Sequence, residues 1–255
     1  RLINKLKIIA LDFDGVIVNS VNECLLVGYY AYQKFAEPSI KLKSIENLSD
    51  SELKLLTSYR PFVLSGEDYV FISMALELNH HFKNQSDYDK FKLENIEYAR
   101  QFYKMFQNER SNLLNTNRKL WFKLNEFFIG MESFMRINCS SDNLIIISTK
   151  PKIFIIEILK NHNINFDEQR IFHASNVDTK KDIIRRFLSD NSIEPNNFFF
   201  IDDQISTLKD VKSLAINCFL AEWGYNTKIE AVDAVKNHIP VITISDFHNS
   251  DEFVT

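Results

Sequence analysis

Ile8, Ile9, Ala10 and Leu11 form an unbroken apolar run that stops abruptly at Asp12, Phe13, Asp14 and Gly15. Four apolar residues without alternation describe a strand buried on both faces, as a parallel sheet requires. Such a strand delivers two carboxylates and a turn glycine to its carboxyl end. In open α/β sheets that edge is where ligands bind. Taken alone, the two acids read equally well as turn residues ahead of a helix started by Asn19 or Ser20, so the rest of the chain has to decide.

From Asn22 to Phe35 the apolar spacing predicts a helix. No convincing strand follows until about Phe128: SIENLSDSELKLLTSY, GEDYVFISMALELNHHF, SDYDKFKLENIEYARQFYKMFQNERSNLL and NRKLWFKLNEFF are all helical in period. A block of this length exceeds any ordinary crossover and reads as an inserted helical domain. Strands resume at Asn143 to Ile147, Ile171 to His173, Phe198 to Ile201, Asn217 to Leu220 and Val241 to Ile244. Helices are predicted between them at PKIFIIEILKNHN, with Pro151 in its first turn, and at about Thr179 to Leu188 and Ser206 to Leu214. This alternation predicts an α/β fold, a Rossmann-like doubly wound parallel sheet carrying an inserted all-helical domain. The expected division is residues 1–18 and 129–255 for the core and 19–128 for the insertion.

Three of these strands end in polar clusters: Asp12 with Asp14, Ser148 to Lys150, and Asp202 with Asp203. If the strands are parallel, the clusters converge on one edge of the sheet. Four carboxylates in one crevice need a compensating cation, and hard oxygen ligands suit Mg²⁺ shared with a substrate phosphate. No histidine or cysteine cluster offers softer ligands; His80 and His81 lie in the helical block and the other four histidines are scattered. Cys24, Cys139 and Cys218 are few and widely spaced, as in reduced core thiols.

The string DFDGVIVNS closely resembles the first motif of the phosphatase branch of the haloacid dehalogenase superfamily, DxDGVxxxS. The resemblance implies roles residue by residue. Asp12 matches the nucleophile that forms an aspartyl-phosphate intermediate. Asp14 matches the general acid and base, its carbonyl also touching the metal. Ser148 matches the hydroxyl of the second motif that binds a phosphoryl oxygen, with Thr149 beside it where relatives often have Asn. Lys180 in TKKDII matches the lysine of the third motif; Lys181 is the alternative if the helix begins one residue later. Asp202 and Asp203 match the acidic metal ligands of the fourth motif, in its adjacent-acid form because Ser206 stands where many relatives have a further Asp. Lys150 resembles a residue common after the second motif, and equally an exposed lysine that starts a helix. WGYN, Trp223 to Asn226, resembles a loop of phosphoglycolate phosphatase-like members.

The implied function is a Mg²⁺-dependent phosphatase acting on a small phosphorylated metabolite. A sugar-phosphate mutase on the same core and a catalytically silent binding protein of this fold are the alternatives. The insertion corresponds to the family's helical cap, which excludes water and reads the organic end of the substrate. Within it, YRPFVLSGEDY breaks the helical period. Arg60 on that turn is a candidate clamp for a carboxylate or second phosphate, set against a plain interhelical loop with Glu67 and Asp68 at a helix start. Arg100 and Arg110 are further candidates for that clamp, set against the commoner reading of a lone helical arginine as solvated, and Trp121 reads as core. A net charge of −4 with no basic stripe argues against a nucleic-acid surface. No apolar run approaches a membrane span, and RLINKLK lacks a signal-peptide core; a cytoplasmic protein is expected.

Overall fold

The computed structural model describes residues 7–39 and 49–253. It divides into two compact units, one reaching to Asn19 and resuming at Glu126, the other Ser20–Asn125.

The first unit is built on a six-stranded sheet of order β5-β4-β1-β6-β7-β8, where β1 is Ile8–Leu11, β4 Leu144–Ser148, β5 Ile171–His173, β6 Phe198–Asp202, β7 Asn217–Ala221 and β8 Val241–Ile242. Every pairing is parallel. All four residues of β1 and all five of β4 are buried, which is what a run without alternation demands of a strand covered on both faces. On one face Ile8, Ala10, Ile145, Ile147, Phe198 and Phe200 share a core with Ile183 and Ile184 of α9 (Lys180–Asp190) and Leu208 and Val211 of α10 (Ile205–Lys212). Four further helices belong to this unit: α7 (Met131–Asn138), α8 (Lys152–Asn161), α11 (Lys228–Lys236) and α12 (Ile244–Asn249). The sequence pattern did not single out α7, α11 or α12, the first and last of which are under three turns long. Pro151 is the N-cap of α8 rather than its first helical residue.

A second, two-stranded sheet pairs β2 (Val18–Asn19) antiparallel with β3 (Glu126–Phe127). It stands where the chain departs for the insertion and returns from it. Neither strand stands out in the sequence, because two-residue strands have no periodicity to read.

The second unit is helical throughout its described residues: α1 (Val21–Ala36), α2 (Asp50–Ser58), α3 (Gly66–Glu77), α4 (Gln85–Glu94), α5 (Ala99–Thr116) and α6 (Arg118–Lys123). The segment read as one long helical period breaks at Asn95 into α4 and α5, joined by the short 3₁₀ turn Ile96–Tyr98. Of SIENLSDSELKLLTSY, residues 44–48 lie outside the described residues, as do residues 1–6. Gly28 of α1 permits close approach to α3: a Cβ there would lie 2.6 Å from that of Tyr69.

With five glycines in 255 residues, the helices are bounded by other means. Ser49, Ser65, Thr179, Thr227 and Thr243 each head a capping box closed by an acid three residues on. Left-handed residues that end helices or turns include Asn79, Asn163, Ser192, Ala215 and His238, where glycine is the more common choice. Among the described residues no helix is long and apolar enough to cross a membrane.

Candidate active site

Register brings the acids together. Leu11 pairs with Ile201, so one residue further along the two parallel strands Asp12 lies beside Asp202, and the Asp12 amide donates to the Ile201 carbonyl at 3.0 Å. On the other side Leu11 pairs with Ile146, which carries the end of β4, Ser148, to the same edge. One oxygen from each of Asp12, Asp202 and Asp203 lies within 4.8 Å of the others, and all three residues are buried.

The turn after β1 is shaped by its glycine. Gly15 has φ +89°, and its amide donates to the Val18 carbonyl at 2.9 Å while Ile17 and Val18 both donate to the Phe13 carbonyl. A side chain at Gly15 would put its Cβ 2.4 Å from the Asp203 carboxylate. Gly224 closes on the same group, where a Cβ would come within 2.2 Å of that of Asp203 and 2.6 Å of the Gly15 carbonyl oxygen. Within WGYN, the Tyr225 amide donates to Asp203 at 2.9 Å, Asn226 to the Asp203 and Ala221 carbonyls, and the Trp223 indole to the Val16 carbonyl at 3.0 Å. The loop after β7 thus clasps the turn that carries Asp14.

Lys180 is the first residue of α9, fixed by the Thr179–Asp182 capping box. Its ammonium lies 2.7 Å from Asp202 and 3.0 Å from Asp12. Lys181 reaches a different partner, Asp210, at 2.8 Å. Burial opposes the Lys180 charge, but Asp12 and Asp202 outweigh it and keep the amine protonated. Burial also raises the Asp12 carboxyl to about 7; Lys180 opposes that shift while the charges of Asp202, Asp203 and Asp14 add to it. An ionised Asp12 in this setting calls for more positive charge than Lys180 supplies.

Of the two readings of Lys150, the exposed helix starter fails. Its side chain has 0% exposure and its ammonium lies 3.0 Å from the Asp14 carboxylate. Its amide donates to the Ser148 hydroxyl at 3.3 Å. Ser148 is buried; Thr149, the next residue, is exposed. Arg60 lies in the helical unit, buried, its guanidinium donating to the Val63 carbonyl at 3.1 Å. Glu67 and Asp68 occupy the first turn of α3, where acids suit the helix dipole.

The donor set fits a hard divalent cation. Three carboxylates offer oxygens at one point, and the four acids Asp12, Asp14, Asp202 and Asp203 against the two ammonium groups of Lys150 and Lys180 leave two negative charges over. One divalent ion offsets that surplus.

Neither a family model nor a curated protein matches the sequence. Solved structures do resemble the chain over nearly its full length. A predicted phosphatase from Clostridium acetobutylicum is 17% identical, with 95% of this chain and 96% of that one covered and a TM-score of 0.55. A haloacid dehalogenase-like hydrolase from Streptococcus pneumoniae is 16% identical, with 95% of each chain covered and a TM-score of 0.60. A predicted phosphoglycolate phosphatase from Haemophilus somnus is 12% identical, with 96% and 98% covered and a TM-score of 0.60. The fold is therefore that of the haloacid dehalogenase-like hydrolases: a Rossmann-like parallel sheet with a helical insertion.

Proposed function

We propose that the chain is a Mg²⁺-dependent phosphoric monoester hydrolase acting on a small phosphorylated metabolite through an aspartyl-phosphate intermediate. The observation that carries this reading is the Lys180 ammonium held between Asp12 and Asp202 on the carboxyl edge of the sheet, within an acidic cluster whose charge it does not balance.

In this mechanism a carboxylate oxygen of Asp12 attacks phosphorus as the ester bond to the leaving oxygen breaks, and Asp14 delivers a proton to that oxygen. Asp14 then takes a proton from the water that attacks the phospho-aspartate. Phosphate departs and the Asp12 carboxylate is restored. Lys180 and Ser148 hold the phosphoryl oxygens and offset the charge that develops on them. Thr149, exposed at the same strand end, is a further candidate for phosphoryl contact. Asp12, Asp202 and Asp203, with the Asp14 carbonyl, are the residues that would hold Mg²⁺. When bound, the ion supplies charge neutralisation for the phosphoryl group. The helical insertion is then the cap of such enzymes, the part that selects the organic half of the substrate, and Arg60 is its candidate anion contact. Phosphoglycolate is the substrate that the resemblance suggests first.

The test is phosphate release from p-nitrophenyl phosphate by the purified protein. Release that needs Mg²⁺, stops with a chelator and is lost in Asp12→Asn is the expected result. An Asp12→Asn protein working at the wild-type rate rules the mechanism out.

A further inference from the structure

Lys150 is a lysine placed where a lysine is costly. A buried ammonium without a partner is strongly disfavoured, and a buried ion pair is retained only where its geometry is fixed. β4 ends at Ser148, and the chain bends at Thr149 and Lys150 ahead of Pro151. Ser148 and Lys150 are buried and Thr149 between them is exposed. The ammonium thereby reaches Asp14, 136 residues earlier in the sequence, at 3.0 Å. It also lies 6.0 Å from the centre of the Phe13 ring. The Asp14 side chain is 18% exposed, and its charge is felt at Asp12.

We infer that Lys150 is the positioning residue for Asp14: it fixes the carboxyl group from which the leaving oxygen receives its proton. The tether constrains that carboxyl and ties the aim of Asp14 to the strand that also presents Ser148. This inference rests on the proposed phosphatase reading, which assigns Asp14 its proton transfer.

Leaving-group chemistry separates a positioning role from direct phosphate binding. An alkyl phosphate needs a proton on its leaving oxygen; p-nitrophenolate departs with little help. Lys150→Met is expected to lower kcat/KM for glycerol 2-phosphate by about 10- to 100-fold and that for p-nitrophenyl phosphate by less than about threefold. It should add little further loss in an Asp14→Asn background, and Lys150→Arg should restore part of the activity. An equal loss on both esters, or a full loss persisting in the Asp14→Asn background, overturns the inference and makes Lys150 a phosphate ligand. The double variant Asp14→Asn/Lys150→Met removes both charges together, so it remains testable should Lys150→Met alone fail to fold. Crystallography of Lys150→Met, or of Lys150→Arg in that case, decides independently of turnover: an Asp14 carboxyl displaced from its wild-type place supports the inference, and one unmoved defeats it. A wild type inert on both esters defeats the phosphatase reading alone.

Discussion

In the helical unit the buried acids are matched by cations. Glu23 receives Arg110 at 2.8 and 3.0 Å and the Trp121 indole at 3.1 Å. Glu109 receives Lys34 at 2.5 Å, and Lys92 lies 2.6 Å from Asp68 and 3.3 Å from Glu67. With Arg60, four cations stand against four buried acids among the described residues. On the sheet edge of the other unit four acids face two lysines among the described residues. Both regions withdraw charge from water, which is expensive, but one set closes on itself and the other is left short of positive charge. A structural network spends its electrostatics internally; a deficit held in place by a rigid sheet is the mark of a site that completes itself with something from outside.

The largest effect expected from this contrast is on turnover. Asp12→Asn should reduce phosphate release by at least about a thousandfold. It also removes one of the two surplus charges, so the metal-free thermal midpoint should hold or rise. A fall as large as that of the next variant would break the comparison. Arg110→Met strands Glu23 in the helical interior and should cost about 3–5 kcal/mol in chemical denaturation. Glu23→Gln/Arg110→Met should recover part of that loss, since it removes both charges. A loss near zero would mean that the helical set is not closed.

A smaller and more specific effect follows from the deficit itself. Mg²⁺ at about 100 times its Kd should stabilise the wild type by about 2.7 kcal/mol, read as a shift in thermal midpoint, with no comparable shift in an Asp12→Asn/Asp203→Asn protein. The smallest effect concerns acids that are neither buried nor in deficit. Asp182 and Asp246 close capping boxes, and hydrogen bonds to Thr179 and Thr243 hold both carboxyls below the usual carboxylate value. Their stabilisation is therefore present above the unfolded value and fades as pH falls through the folded one. Asp182→Asn and Asp246→Asn should flatten the stability profile below about pH 4, as followed by circular dichroism across an acid titration. A profile unchanged in both variants would deny the boxes that contribution.

The sheet edge was largely legible because its evidence is local. A strand that stops at a polar cluster announces itself in a few letters, and three such strands carry Asp12, Ser148 and Asp202 to one edge. TKKDII leaves Lys180 and Lys181 open, and only the Thr179 cap shows which of them lies against Asp12 and Asp202. What stayed hidden depends on distant partners. Nothing in STKPK distinguishes a lysine buried against Asp14 from one in solvent, and nothing around Arg110, readable as an anion contact or as a solvated residue, reveals that Glu23 lies opposite. Trp121 was read correctly as core, but its indole bond to Glu23 was not foreseeable. The β2–β3 pair escaped for another reason, being too short for any period.

That same short pair has a consequence for how such a protein can change. Val18 faces Phe127 and Asn19 faces Glu126, so the sheet-bearing unit lets its chain out and takes it back at adjoining points on a two-rung ladder. A different excursion of any length whose ends suit those rungs leaves the strand order untouched. Under the proposed function, the chemistry and the choice of what undergoes it are then separable in heredity: one can be rewritten, exchanged or enlarged while the other stays as it is.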